Sequence, residues 1–252
     1  MKHLKCGTLL FALMGVVGAA AAAPQPRKAI DPKAEQTLRQ MADYMAGLKS
    51  FRVHSSAIDE VVLTSGQKLQ LASESRVSVE RPNQLLSEQL GSAAGLAFHY
   101  DGKTMTLSCK ANNSYVTAPA PTTIDATIDK ARKQFQIEAP GADLLYSRPY
   151  EILTEQVTGG KFIGREIIDG VATNHLAFEG EEVDWQIWIQ EGSQPLPLRF
   201  VIVSKTVKGQ PEFAVTLSDW DTQAKLEDST FAFQPAAGAK PVQSLASCGP
   251  VR

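Results

Sequence analysis

The amino-acid sequence predicts a mainly β protein with helices (α+β), in which an antiparallel sheet carries an N-terminal helix and a central helical insertion. Apolar residues near the start recur at helical spacing, whereas two later regions, beginning at residues 51 and 161, alternate apolar and polar residues. The proline-containing stretch between those regions returns to helical spacing. Because period-two alternation is typical of antiparallel strands with one solvated face, we expect two groups of strands flanking a helical segment.

The first 22 residues have the three-part layout of a secretory signal peptide. Lys2 and Lys5 form a basic start, residues 7–17 are uncharged and largely apolar, and small residues occupy positions 19–23. The apolar run is too short to span a bilayer. Cleavage is expected near Ala22, because a cut before Pro24 would require hydrolysis of a tertiary amide. We therefore expect an exported, periplasmic protein without a membrane anchor, beginning with a flexible leader over residues 23–30.

The first predicted element of the mature chain is an amphipathic helix that ends near Gly47. Asp31 and Pro32 suit its N-cap and its first helical position. Its apolar stripe comprises Leu38, Met41, Ala42, Met45 and Leu48. A stripe at this spacing buries one face of a helix against the rest of a domain.

Strands are predicted from Phe51 onward, joined by tight turns at residues 65–66 and 101–102. After the insertion, strands are expected to resume at Lys161. A turn at residues 169–170 separates segments 161–168 and 171–179, and residues 183–189 alternate cleanly. The residues from 236 to 252 show no period and are rich in small residues, so we expect a single domain over 31–235 with a flexible C-terminal tail.

The insertion is predicted to begin with a capping box formed by Thr122 and Asp125. The helix that follows has a narrow apolar stripe of Ile124, Ile128, Ala131 and Phe135. Pro140 ends this helix, and residues 141–147 and 150–157 are expected to form shorter helical pieces.

Two cysteines remain after signal-peptide removal, Cys109 and Cys248. In an oxidising compartment they can pair with each other. The loop-entropy model gives such a long loop a stabilisation of up to about 5 kcal/mol. The alternative is a pair of free thiols.

The charge balance and the motifs exclude several classes of function. The chain is mildly acidic, with a net charge of −2 and no basic stripe, which argues against nucleic acid as a partner. No serine-nucleophile elbow, zinc-protease motif, Cys-x-x-Cys pair or phosphate loop occurs. We therefore expect no enzymatic activity, no catalytic residues, no cofactor and no metal. His54, His99 and His175 are expected to be ordinary strand residues.

Three stretches resemble an uncharacterised bacterial family of predicted periplasmic proteins, a domain of unknown function. They are YDGKT at 100–104 with Tyr115 and APAPTTID at 118–125, PGADLL at 140–145, and VDWQIWI at 183–189 with PLPLR at 195–199. That family resembles the lipoprotein-localisation proteins LolA and LolB. The resemblance implies a strongly curved antiparallel half-barrel whose open side is covered by helices, with the insertion as a lid over an apolar face that can hold acyl chains.

Candidate ligand-binding residues follow from this half-barrel and from the alternation of the strands. The expected inward-facing set is Met105, Leu107, Trp185, Ile187, Phe200, Ile202, Phe213, Val215 and Leu217. Taken singly, each position fits a filled core better, and the cavity rests on the collective shape that the resemblance implies. Arg165, Arg199 and Lys205 are candidates at the rim of the cavity, where a cation could meet a phosphate or a carboxylate.

The sequence thus favours a periplasmic protein that binds a hydrophobic ligand, such as a lipid or a lipoprotein acyl chain. One alternative is a protein-interaction or sensor module of the cell envelope that carries no lipid. A second alternative is a hydrolase whose site is dispersed along the sequence. The oligomeric state stays open.

Overall fold

The computed structural model describes residues 29–91, 95–135, 137 and 139–243. Its strands are β1 (Ala29–Ile30), β2 (Ser50–Val62), β3 (Lys68–Glu80), β4 (Gln84–Leu90), β5 (Leu96–Tyr100), β6 (Thr104–Cys109), β7 (Ser114–Pro119), β8 (Val157–Ile168), β9 (Val171–Gly180), β10 (Val183–Gln190), β11 (Pro197–Ser204), β12 (Glu212–Asp221) and β13 (Lys240–Pro241). The helices are α1 (Pro32–Gly47), α2 (Ile124–Phe135), α3 (Pro149–Thr154) and α4 (Asp228–Phe231), with a 3-10 helix over Ala142–Leu145.

All thirteen strands belong to one sheet, in the order β1-β8-β9-β10-β11-β12-β2-β3-β4-β5-β6-β7-β13. Neighbouring strands are antiparallel except at the two edges, where β1 runs parallel to β8 and β13 runs parallel to β7. The order is linear over the described residues, so the curved sheet stays open instead of closing into a barrel. The predicted fold class and the half-barrel are therefore confirmed.

Helix α1 begins and ends where the sequence predicts. The Asp31 side chain accepts hydrogen bonds from the backbone N–H groups of Lys33 and Ala34, which satisfies two donors at the start of the helix. Leu38, Met41 and Met45 are fully buried. The helix contacts α3, β8 and β10, so its apolar stripe covers one half of the inner face of the sheet.

The start of α2 differs from the prediction by one residue. Thr123, not Thr122, is the cap, since its Oγ1 accepts a hydrogen bond from the backbone N–H of Ala126 at 3.3 Å. Asp125 is not part of a capping box. Its carboxylate accepts hydrogen bonds from the backbone N–H and the hydroxyl of Ser147, which ties the end of the insertion to α2.

The second group of strands begins earlier than predicted. Strand β8 starts at Val157, so the helical piece expected over 150–157 is limited to α3. Gly159 and Gly160 lie within β8 and pair with both β1 and β9. A Cβ atom at Gly160 would lie 2.7 Å from the ring of Phe178. The glycine is therefore required by close packing inside the strand.

The two ends of the domain extend beyond the predicted boundaries. Ala29–Ile30, expected in the flexible leader, forms β1 beside β8. Lys240–Pro241, expected in the flexible tail, forms β13 beside β7. Short strands of this kind have no sequence period and depend on an edge being available for pairing. The predicted signal peptide and the remainder of the tail lie outside the described residues.

The C-terminal segment covers the outer face of β4–β7. Phe231 in α4 is fully buried, and Phe233 packs against the rings of His99 and Tyr115 at centroid distances of 5.4 and 4.9 Å. Burial lowers the pKa of His99. This outer face is thus a second, smaller apolar layer.

Candidate functional site

The main cavity has a volume of about 320 Å³ and lies between the inner face of the sheet and the insertion. Its floor comes from β2–β6 and β12, and its roof comes from α2 and from residues 137, 139–142, 144 and 145. This volume is at the lower end of the range of about 300–1,000 Å³ for ligand pockets.

The cavity exists because inward-facing side chains become small along three central strands. In β2 the inward positions run from Phe51 and Val53 to Ser55 and Ala57. In β3 they run from Val77 to Ser75 and Ser73, and in β4 from Leu85 to Ser87 and Gln89. These small residues are direct neighbours, since Ser55 pairs with Ser75, Ala57 with Ser73, and Ser75 with Gln89.

The other side chains of the lining are mainly apolar. They include Phe98, Leu107, Val215 and Leu217 from the sheet and Ile128 from α2. Trp220 also lines it and packs against Phe51 with ring centroids 5.5 Å apart. The lining therefore offers hydroxyl and amide groups beside apolar side chains that favour hydrocarbon, since Leu217 pairs with Ser55 and Phe98 pairs with Ser87.

The roof is held by an ion pair between α2 and the 3-10 helix. Nη2 of Arg132 lies 2.9 Å from Oδ1 of Asp143 and also donates to the carbonyl of Ala139. Nη1 of Arg132 donates to the hydroxyl of Tyr146, and that hydroxyl donates to Asp129 at 2.6 Å. Burial and the hydrogen bond to Asp129 raise the pKa of Tyr146, so its hydroxyl stays protonated.

A second cavity of about 260 Å³ lies beyond Arg132, toward β9–β11. Arg132 lines both cavities, whereas Asp143 lines the second. The wall of the second cavity is mixed in polarity, with Glu155 and Gln156 beside Val157 and Val183. The Arg132–Asp143 pair therefore stands between an apolar cavity and a more polar one.

The nine predicted inward-facing residues fall into three groups. Leu107, Phe213, Val215 and Leu217 line the main cavity, and Trp185, Phe200 and Ile202 line the second. Met105 and Ile187 are fully buried in the core and line neither cavity. All nine belong to the apolar core or pack against it.

The three predicted rim cations line neither cavity. Arg165 on β8 pairs with Glu191, and Arg199 lies over the ring of Trp188 at 5.6 Å. Lys205 donates to the carbonyl of Gly180, a residue of the second cavity, and pairs with Asp184 at 3.1 Å. Each is already held by protein groups and lies away from the apolar cavity.

Sequence reasoning missed Arg132 and the small polar residues of the floor. Arg132 lies on a helix and gives no strand-like pattern. The floor residues do produce a recognisable sequence pattern. At the alternate, inward-facing positions of β2, the side chains change from large and apolar to small after Val53. That change predicts that side chains fill less of the space over this face of the sheet. Only the register of the three strands shows that the small residues are neighbours.

Two histidine pairs lie on the outer face, away from the cavity. His175 packs between Glu166 and Gln186 at 2.8 and 3.0 Å and stacks on Trp188 with ring centroids 4.0 Å apart. His54 pairs with Glu74. No group of three or more His, Cys, Asp or Glu side chains in the described part of the chain is arranged to hold a metal.

Cys109 is buried in β6. Cys248 lies outside the described residues, so its disulfide with Cys109 stays a prediction.

The fold and the cavity together define a class: an open antiparallel half-barrel with helices packed against its inner face and an apolar cavity beneath them. The chain belongs to the family described as "Predicted periplasmic protein (DUF2092)", which it matches over residues 34–245. The predicted family and the periplasmic location are thereby confirmed. None of the described helices is long and apolar enough to cross a membrane.

The chain is similar to several solved structures at low sequence identity. An uncharacterised conserved protein from Thermus thermophilus is 14% identical, with 83% of this chain and 98% of that chain covered and a TM-score of 0.50. LprF from Mycobacterium bovis is 19% identical, with 78% and 97% covered and a TM-score of 0.49. A LolA superfamily protein, NE2245 from Nitrosomonas europaea, is 13% identical, with 79% and 97% covered and a TM-score of 0.41. No curated protein matches this sequence.

Proposed function

We propose that this protein binds a hydrophobic ligand, a lipid or the acyl chain of a lipoprotein, in the main cavity, and that it holds this ligand without catalysing a reaction. The observation that carries the proposal is the apolar cavity beneath α2, whereas the second cavity, toward β9–β11, has a lining of mixed polarity. Each methylene buried there contributes about 0.8 kcal/mol, so one acyl chain supplies useful affinity without a specific polar contact.

The location of the histidines supports binding over hydrolysis. None of the residues that line the main cavity is a histidine, and none of the cavity serines has a side-chain hydrogen bond to another described residue. A serine nucleophile requires a base within hydrogen-bond reach. The cavity therefore has the lining of a binding site.

The experiment is lipid extraction and mass spectrometry of natively purified protein, followed by titration with the uncharged fluorescent probe N-phenyl-1-naphthylamine. We expect a co-purified acyl species and saturable probe binding. Ser55→Leu should weaken probe binding at least tenfold, because the longer side chain enters the cavity. Ser56→Leu is the matched control, since the adjacent residue faces the other side of β2.

An empty protein that binds no probe would contradict the proposal and favour the protein-interaction alternative. The same conclusion would follow if Ser55→Leu and Ser56→Leu bound the probe equally well while both variants remained folded.

A further inference from the structure

We propose that the ligand of the main cavity ends in an uncharged polar group, so that the protein selects acyl chains carried by esters, amides or hydroxyls over fatty-acid carboxylates and lipid phosphates. This inference rests on the proposed function and narrows its ligand to neutral acylglycerol chemistry. It depends on the polar band of the floor and on the charge balance of the roof.

The polar band consists of Ser55, Ser73, Ser75, Ser87 and Gln89. The side chains of the four serines make no hydrogen bond to another residue in the described ranges. Oε1 of Gln89 accepts a hydrogen bond from the backbone N–H of Leu96 at 3.3 Å, and its amide NH₂ donates to no other residue within the described ranges. A hydroxyl can both donate and accept, and an amide NH₂ donates. The band therefore matches ester carbonyls, hydroxyls and amides.

The band is continuous because of strand register. Leu217, Ser55, Ser75 and Gln89 form one row across β12, β2, β3 and β4, and the next row contains Ala57 and Ser73. The serines are half-buried, so a polar group reaching them would be only partly desolvated. A polar group bound at this band can leave its acyl chain on the apolar side chains that line the same cavity.

Among the described residues that line the cavity, no cation is left uncompensated. Arg132 is the charged residue among those that line it, and Asp143 at 2.9 Å neutralises its charge. Asp129 also lies in the same network, through the hydroxyl of Tyr146. Neither carboxylate lines the main cavity, but both belong to the network that holds Arg132, so an entering carboxylate or phosphate would meet a guanidinium that is already paired. Partial burial of an unpaired anion is costly, so the charge balance disfavours an anionic head.

The test compares three ligands that carry the same acyl chain and differ in their head group. Monolaurin, laurate and 1-lauroyl-lysophosphatidylglycerol would each displace N-phenyl-1-naphthylamine from the mature protein at pH 7.5. We expect monolaurin to displace the probe at a concentration at least tenfold lower than either anionic ligand. Laurate or the lysophospholipid binding as tightly as monolaurin would overturn the inference. A protein that binds neither the probe nor any ligand would contradict the proposed function itself.

Two sets of variants test whether the serines of the polar band cause the preference for an uncharged head group. Ser75→Ala combined with Ser87→Ala should weaken monolaurin binding by about two- to tenfold, the range expected for lost hydrogen bonds. Laurate binding should be unchanged, and Ser56→Ala on the outer face is the matched control. Ser75→Lys should strengthen laurate binding at least tenfold, whereas Ser75→Gln should not. Probe binding verifies that each variant is folded, and a folded Ser75→Lys variant with no gain in laurate affinity would contradict the inference.

A final arm distinguishes two sources of the same chemistry. A synthetic dipalmitoylglyceryl-cysteine peptide that competes as well as monolaurin would identify a lipoprotein as one source of the neutral ester group. Failure of this peptide beside successful competition by monolaurin would identify a free lipid. Both outcomes support an uncharged head.

Discussion

The two halves of the sheet follow the same alternation but have different interiors. In the half that we call filled, β8–β11, the inward positions hold bulky residues such as Phe178, Trp185 and Ile187, and the smaller second cavity lies between these strands and the insertion. In the cavity half, β2–β6 with β12, the inward positions of the central strands shrink to serine and alanine beneath α2. Both halves are apolar faces covered by helices, so side-chain volume, rather than pattern, decides whether such a face becomes core or cavity.

The aromatic residues of the filled half show how this volume is used. Phe178 stacks on Trp185 with ring centroids 4.0 Å apart, and Trp185 meets Phe200 edge-on at 5.6 Å. Such contacts hold side chains in fixed positions and exclude a ligand. The cavity half, in contrast, keeps hydroxyls facing an empty volume.

The largest expected effect is on the free energy of unfolding, when one phenylalanine in each half is replaced by alanine. Phe178→Ala should cost about 3–5 kcal/mol of unfolding free energy, because it removes a fully packed ring. Phe98→Ala should cost at least about 1 kcal/mol less, since Phe98 lines the cavity and already lacks contacts on one side. Urea unfolding measures both values. Equal costs would mean that the cavity half is packed as tightly as the filled half.

Gly160→Ala tests the tight packing of the filled half by adding one methyl group. Its Cβ would lie 2.7 Å from the ring of Phe178, so we expect a cost of about 1–3 kcal/mol. Gly164→Ala in the same strand is the matched control, because nothing lies within 4 Å of its Cβ, and it should change stability by less than about 0.5 kcal/mol. Similar thermal unfolding temperatures for the two variants would contradict this difference.

Asp143→Asn tests the roof of the cavity half. The Arg132–Asp143 pair is about a third exposed, so its loss should cost only about 0.2–1 kcal/mol. The larger consequence should be kinetic, because the roof would open more readily and N-phenyl-1-naphthylamine should dissociate several-fold faster. Stopped-flow fluorescence measures this rate. Asp184→Asn is the control, since it breaks the comparable pair with Lys205, and neither of these two residues lines a cavity.

The smallest effect concerns the outer face of the filled half. Hydrogen bonds donated by Trp188 and then by His175 lower the pKa of Glu166 from its ordinary value of 4.5. A carboxylate with a lowered folded pKa stabilises the protein above pH 4.5, and this contribution is lost as pH falls through the folded pKa. Glu166→Gln should therefore lose less thermal stability than the wild type between pH 5 and pH 3. Glu181→Gln, at an exposed position, should follow the wild type.

The sequence predicted the elements whose signals are local. Helix α1 was recognised from Asp31, Pro32 and the apolar stripe, and the turns at residues 65–66, 101–102 and 169–170 connect the strands as expected. The cap at Thr123 and the start of β8 at Val157 were misplaced by a few residues. In both places the choice depends on partners distant in sequence, Ser147 for Asp125 and Phe178 for Gly160.

The candidate site was predictable only in part. Leu107, Phe213, Val215 and Leu217 were chosen from alternation and do line the cavity, but alternation alone could not separate them from Met105 and Ile187 in the core. The rim cations were chosen by residue type, and the structure pairs each with a partner away from the apolar cavity.

The sequence by itself determined the alternation, the helical insertion and the small side chains at positions such as Ser55 and Ser75, since these properties belong to single residues and their near neighbours. Only the tertiary structure decided that the small residues lie side by side, because strand register places them there. It also decided that Asp143 neutralises Arg132, because an electrostatic balance depends on distances that the chain sets only when folded.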